Sequence, residues 1–189
     1  MKHGEKIDEI LAFWFDGDPE ARRRRWWQKS SEVDASCRSR FAEVLQAAKA
    51  GELDAWLQTP RGRQAFVILC DQLARNMHRD TAGMYEADAL AQRATLAALE
   101  AGDDRQMDDA ERQFLYMPLM HSEALEHQER CVELFRELAK GGVIDSVKWA
   151  VQHRDIVARF GRFPHRNAIL GRQSSAEELA FLEQPGSSF

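Results

Sequence analysis

The residues with the most chemical potential lie near the end of the chain. The run Arg159-Phe160-Gly161-Arg162-Phe163-Pro164-His165-Arg166-Asn167 is followed by Leu170-Gly171-Arg172. Residues 156–176 hold four Arg, one His and no Asp or Glu, in a chain whose formal net charge is −5. Guanidinium groups are planar, always charged and shaped to grip carboxylates or phosphates. Arg159, Arg162 and Arg166 are therefore candidate ligand-gripping groups, with Asn167 to orient what they hold. His165 is a candidate general acid or base, because imidazole titrates near neutrality without perturbation. Two Gly and a Pro forbid a plain continuing helix over residues 161–171, so a shaped turn presents these groups. The bland alternative is that the Arg residues cross-link the tail to Asp71, Glu123 or other acids. Against it, four Arg with no acid nearby in sequence exceed what anchoring one tail requires.

Polar groups interrupt apolar helices at two further places. Asp71-Gln72-Leu73-Ala74-Arg75-Asn76 follows directly on the apolar run 65–70. Asp71 and Arg75 are four apart and share a helix face. A carboxylate there needs a partner, because an unpaired buried charge is costly. The pair is either a structural ion pair or, with Asn76, the floor of a polar pocket. In Tyr116-Met117-Pro118-Leu119-Met120-His121-Ser122-Glu123, Pro118 is expected to break a helix. That would leave Tyr116, His121 and Glu123 near a helix N-terminus, where free N–H groups favour anions. For Ser122 and Glu123 the plainer reading is an N-cap and a first-turn acid. His121 is a second candidate acid or base. His153 lines up with Ile156, Val157 and Phe160 and is expected on the core side of its helix. Asp155 and Arg159, again four apart, are expected to pair. His121, Glu123, His153 and Asp71 are also metal-ligating types. The spacing of His121 and Glu123 defines no site, however, and no HExxH or CxxC pattern accompanies it, so no metal is assigned. The residues name no cofactor.

Helices must position these groups. Ile7, Ile10, Leu11, Trp14 and Phe15 mark an amphipathic first helix, ended by Asp16-Gly17-Asp18-Pro19. Pro19 opens a short turn with Arg22 to Arg25 and Trp26-Trp27, read as a solvated basic face whose Trp residues dock in the core. Ser30-Ser31 cap a helix through Val33, Cys37, Phe41 and Ala48 that stops near Gly51. Thr59-Pro60 starts the next, and its run 65–70 is apolar all round and so central. A helix over 84–101 ends at Gly102. Asp108 and Glu111 make a capping signature ahead of Phe114. A helix from His121 runs to Gly141-Gly142 and another covers 143–160. Ser174 and Ser175, with Glu177 and Glu178, cap a last short one, and Phe181, Leu182 and Phe189 are expected to anchor the tail. No stretch alternates with period two. Connections are short, so the expectation is one all-α domain over 1–189, built of antiparallel helical hairpins.

Composition narrows the function. Hydrophobic residues make up 44% and charged ones 30%, ordinary for a folded chain. An acidic total argues against general nucleic-acid binding. No apolar run approaches the ~20 residues of a membrane span, and the first residues carry no signal-peptide core. Cys37, Cys70 and Cys131 are widely spaced and odd in number, which suits buried thiols in a reducing cytoplasm.

Several runs taken together carry a resemblance. They are Leu11-Ala12-Phe13-Trp14-Phe15, Asp71 to Asn76, Glu111-Arg112-Gln113-Phe114-Leu115-Tyr116-Met117-Pro118 with His121-Ser122-Glu123, Arg159 to Asn167, and Ser187-Ser188-Phe189. Over nearly the whole chain they resemble the bacterial domain of unknown function 924 family. Where that family often has Phe-Pro before Arg-Asn, this chain has Leu73-Ala74. The resemblance implies an all-α fold similar to right-handed, tetratricopeptide-type helical arrays, and it brings no settled activity. Three functions then stand in order. The first is a pocket for a small anionic ligand, in a binding protein or an enzyme, that gathers the Arg-rich turn with Asp71, Tyr116 and His121. The second is a helical-repeat adaptor holding a peptide or protein partner in a concave groove. The third is a metal-dependent enzyme. A compact polar cluster would favour the first and a long groove of separated residues the second.

Overall fold

The computed structural model describes residues 3–141 and 146–188, and every element among them is helical. The chain divides into two compact units. The first runs from the N-terminus to Arg79 and includes Gly83–Pro118; the second comprises Asp80–Ala82 and the chain from Leu119 onward.

The first unit contains α1 (Glu5–Phe15), α2 (Pro19–Trp27), α3 (Ser31–Lys49), α4 (Pro60–Val67), α5 (Ala74–Met77), α6 (Asp88–Ala101) and the greater part of α7 (Asp109–Met120). The predicted caps form. Ser30 accepts from the Val33 N–H, and Thr59 from the Gly62 N–H with Pro60 at the first helical position. Asp108 and Glu111 cap each other's backbone at 2.9 and 3.0 Å. Gly62 is fixed by close approach, since a Cβ there would stand 2.1 Å from the Trp56 carbonyl oxygen. The run 65–70 is wholly buried, as its composition requires. Trp14, Phe41, Trp56 and Phe114 fill the interior, with the Trp14 and Phe114 rings edge to face at 5.3 Å.

Between α4 and α5 the helix passes through a π-helical turn, Ile68–Leu73, where the Ala74 N–H reaches back to the Leu69 carbonyl. Such turns are inserted irregularities and often lie at functional positions. Side-chain periodicity carries no mark of this one.

Three local expectations are corrected. Pro19 opens a full helix, and while Arg23 and Arg24 are exposed, Arg22 and Arg25 are half-buried. Arg25 donates to the carbonyls of Phe13, Trp14 and Asp16, and Arg22 to that of Phe15. They satisfy the orphan acceptors at the end of α1. Trp26 docks, its Nε1–H on the Trp14 carbonyl at 2.9 Å, but Trp27 is 52% exposed. The helix expected from residue 84 begins at Asp88, after a 3₁₀ turn at Ala82–Tyr85.

The second unit holds α8 (Leu125–Ala139), α9 (Val147–Phe160) and α10 (Ala176–Leu182), with a 3₁₀ turn at Pro164–Arg166. Helix α8 packs on α9. Cys131, Phe135, Ile156, Val157 and Phe163 are buried, and Phe160 and Phe181 pack against the last three. Two further corrections fall here. Pro118 does not end α7, which continues to Met120. Its final carbonyl is taken up by Gln128, whose Nε2 donates to the Met120 and Ser122 oxygens at 2.6 Å each. Helix α8 starts at Leu125 with Ala124 at the cap position, so Ser122 is not its N-cap. The Ser122 hydroxyl instead accepts from the Ala124 N–H and meets His127 Nδ1 at 2.9 Å. The early part of the helix expected over 143–160 and the stop at Gly142 lie outside the described residues, as does Phe189.

The tail is tied down as predicted as far as Ser187. Ser175 and Glu178 form a capping box on α10. The Ser187 hydroxyl donates to the Leu182 carbonyl at 3.0 Å, and Gln152 to that of Gly186 at 2.8 Å. The three Cys are free and buried, and burial raises their thiol pKa values. Among the described residues no helix is long and apolar enough to cross a membrane.

Candidate anion site

Within the second unit the shaped turn, helix α9 and the chain just beyond α7 bring three histidines together, two of them against the Phe163 ring and the third beside His153. Gly161 ends α9 in the left-handed region, at φ 69°, which turns the chain back across the helix it has just left. Phe163 enters the core, fully buried, and the following 3₁₀ turn presents His165 and Arg166. Ring centroids of His153 and Phe163 are 5.6 Å apart, of Phe163 and His165 5.6 Å, and of His121 and His153 6.4 Å. The Arg166 guanidinium lies 4.5 Å over the Phe163 ring and donates to the His121 carbonyl at 2.9 Å. Arg166 and His153 are buried; His121 and His165 are half-buried.

Glu123 fastens this turn. Its carboxylate accepts the Phe163 N–H at 2.8 Å and a two-pronged grip from Arg172 at 2.7 and 2.9 Å. Burial raises its pKa, but the bonds from Arg172 and Phe163 outweigh that and hold it below the usual carboxylate range.

The electrostatics of the histidines follow from burial among positive groups. Desolvation, then the charges of His121 and Arg166, depress His153 to about 3, against the opposing bond to the Trp149 carbonyl. Desolvation, then Arg166, depress His165 to about 4, against the opposing charge of Glu123. Both rings are neutral at physiological pH. His153 Nδ1 sits 2.8 Å from the Trp149 carbonyl, an acceptor, so the ring hydrogen is on Nδ1 and Nε2 carries the lone pair.

The other Arg residues of the tail point elsewhere. Arg162 grips Glu178 at 2.7 and 2.8 Å, and Arg159 holds Glu177 at 2.7 Å while lying over the Phe160 ring. Asp155 pairs with Arg154 and not, as expected, with Arg159. Asn167 is buried and donates to the Ser174 hydroxyl at 3.0 Å. Two clefts of the second unit, of about 450 and 370 Å³, run along Arg159 and Phe160; no histidine lines either.

Asp71, Arg75, Asn76 and Tyr116 belong to the first unit. Asp71 is fully buried in the π-helical turn and pairs with Arg75 at 3.1 Å, and Arg75 also reaches Asp88 at 2.9 Å. Asn76 contacts the Cys37 sulfur and accepts from Arg79, which grips Asp34. The Tyr116 hydroxyl donates to Asp104 at 2.9 Å. Asp88, Phe163 and Arg172 are participants that sequence reasoning did not assign. Arg172 carried a signal, since it lies in the acid-free window; Phe163 read as one more apolar residue. Among the described residues no three His, Cys, Asp or Glu side chains are grouped to hold a metal ion.

An all-helical protein with a buried histidine–arginine cluster is thus the class that fold and site define. Residues 10–186 match the model of the DUF924 family, described as bacterial protein of unknown function, and the chain belongs to that family. It is similar to a solved structure of a protein of unknown function from Agrobacterium tumefaciens, with 36% identity and a TM-score of 0.83. That match covers 95% of this chain and 97% of the other. No curated protein matches it.

Proposed function

We propose that the second unit binds a small anion, a carboxylate or a phosphate, at the cluster of His121, His153, His165 and Arg166. The observation that supports this is the convergence of His153, His165 and the buried Arg166 guanidinium on Phe163, with the His121 ring beside His153 and with burial and positive neighbours depressing both His153 and His165. Burial accounts for most of that depression and favours no ion, but the share owed to Arg166 and the neighbouring imidazoles is one that favours negative charge. Arg166 supplies the fixed cation and His165 a half-buried edge through which a ligand reaches it. An entering anion offsets the positive neighbours' share of the depression and raises the imidazole pKa values, so binding is coupled to proton uptake. In an enzyme of this design His165 or His121 would be the general base.

The test is calorimetric titration of inorganic phosphate near neutral pH in two buffers of different ionisation enthalpy. The reading expects binding with net proton uptake, weakened tenfold or more in Arg166→Ala, by about 1.4 kcal/mol or more. Thermal melts of the same variant separate a binding defect from unfolding. Absence of any anion binding in the parent protein, with a large stability loss in Arg166→Ala, would show the guanidinium to be an internal cross-link.

A further inference from the structure

We propose that the anion held at this cluster carries an aromatic or heteroaromatic ring, and that Trp149 is the surface on which the ring stacks. The inference rests on the anion reading above and adds the ligand's chemical class. It starts from an irregularity in α9. At about 100° per residue, Trp149 is rotated only about 40° from His153 and about 20° from Ile156 around the helix axis. Ala150, His153, Ile156 and Val157 form the buried stripe of this helix, and Trp149 falls within the same arc. A Trp in such a position ordinarily docks, yet Trp149 is 47% exposed while His153, one turn on, is 6% exposed. The buried stripe therefore ends in an open indole directly beside the buried imidazole.

The link between the two is direct. His153 leans back along the helix and meets the Trp149 carbonyl through Nδ1 at 2.8 Å, so its ring lies over the turn that carries Trp149. Residues four apart on a helix have Cβ atoms about 5–6 Å apart, a separation that one small ligand spans. Lys148 adds to this edge, with its Nζ 5.5 Å from the Trp149 ring centroid. Beyond the buried Arg166 guanidinium there is thus a flat, accessible aromatic surface and a second cation. That combination suits an anion joined to a ring, because aromatic stacking and charge pairing then act on one molecule.

The experiment compares two probes with the same head group, inorganic phosphate and phenyl phosphate. Affinities are measured by calorimetry, and tryptophan fluorescence is recorded with each. Phenyl phosphate should bind the parent protein about five- to tenfold more tightly than phosphate, the range aromatic pairs provide. It should also quench a component of the emission that Trp149→Phe removes. In Trp149→Ala the ratio of the two affinities should fall toward one, and in Trp149→Phe it should be largely restored. If phosphate binds and the parent shows no preference for the ring, or the preference survives in Trp149→Ala, the stacking inference is overturned and the anion site stands. If neither probe binds, the anion reading itself fails.

Discussion

Acidifying a solution of this protein from about pH 7.5 to about pH 5.5 should weaken the fold through two side chains, His153 and His165. Both are depressed in the folded protein, to about 3 and about 4. In the unfolded chain each returns to about 6.5. Between the folded and unfolded values the unfolded state binds more protons, so stability is full above about pH 6.5 and declines as pH falls towards about 4. At about pH 5.5 each unfolded imidazole is about nine-tenths protonated and each folded one is still neutral. That difference costs about 1.4 kcal/mol per histidine, or about 3 kcal/mol for the two. Since a domain is held by about 5–15 kcal/mol, the loss is easily measured. Glu123 and Glu178 have lowered values and titrate below this window, so they do not contribute to it. The assay is urea unfolding at both pH values for the parent and for the double variant His153→Gln, His165→Asn. The variant's absolute stability is immaterial, because the quantity compared is the change with pH within each protein. The parent should lose about 3 kcal/mol and the variant well under half of that. Equal losses would place the acid sensitivity elsewhere and refute the account of a buried, neutral histidine pair.

Two further substitutions probe how the chain is held. Gly62→Ala should destabilise by about 1–3 kcal/mol in thermal or urea melts, because steric conflict with the Trp56 carbonyl outweighs the roughly 0.5–1 kcal/mol that alanine ordinarily adds to a helix; a neutral or stabilising effect would mean that this backbone approach relaxes freely. Glu123→Gln should cost about 1–3 kcal/mol in urea unfolding, reduced from the fully buried case by the partial exposure of the side chain, as the Arg172 pair and the charge accepting the Phe163 N–H are lost. The same variant should broaden or shift the amide resonances of residues 162–167 in NMR spectra, and an unchanged turn would show that Arg172 and Glu123 are incidental partners.

The helical elements were legible because their boundaries are local chemistry. Ser30, Thr59, Asp108 with Glu111, and Ser175 with Glu178 each cap a helix through atoms two or three residues away. His153 was legible as a core-side residue because helical phase alone decides it. The partners of the arginines were not. Glu178 reads as a capping residue, and nothing in its sequence position says that it also holds Arg162. The same holds for Arg25, whose partners are carbonyl oxygens that every residue possesses. Pro118 misled because an interior proline weakens a helix without always ending it; α7 runs two residues further and ends where the Gln128 amide takes up the Met120 carbonyl. The meeting of His153 and His165 on Phe163, with His121 beside His153, depends on the path of the chain after Gly161, which periodicity does not encode.

The π-helical turn at Ile68–Leu73 separates two properties that an ordinary helix keeps locked together, the length of the chain and the phase of its packing. In a regular stretch such as α3, removing one residue would turn everything beyond it by about 100° and put the wrong side chains inward. A π turn accommodates one residue more than an α turn while the flanking segments keep their facing. Excising a residue such as Gln72 would therefore let the segment relax to plain α-helix. The contacts of Asn76 with Cys37 and of Arg79 with Asp34 would stay in register, and the displacement would be confined to the surroundings of Asp71. The scaffold can thus lose this bulge without being rephased. What the bulge contributes at Asp71 is in that sense modular, open to deletion as a unit and separable from the packing on either side.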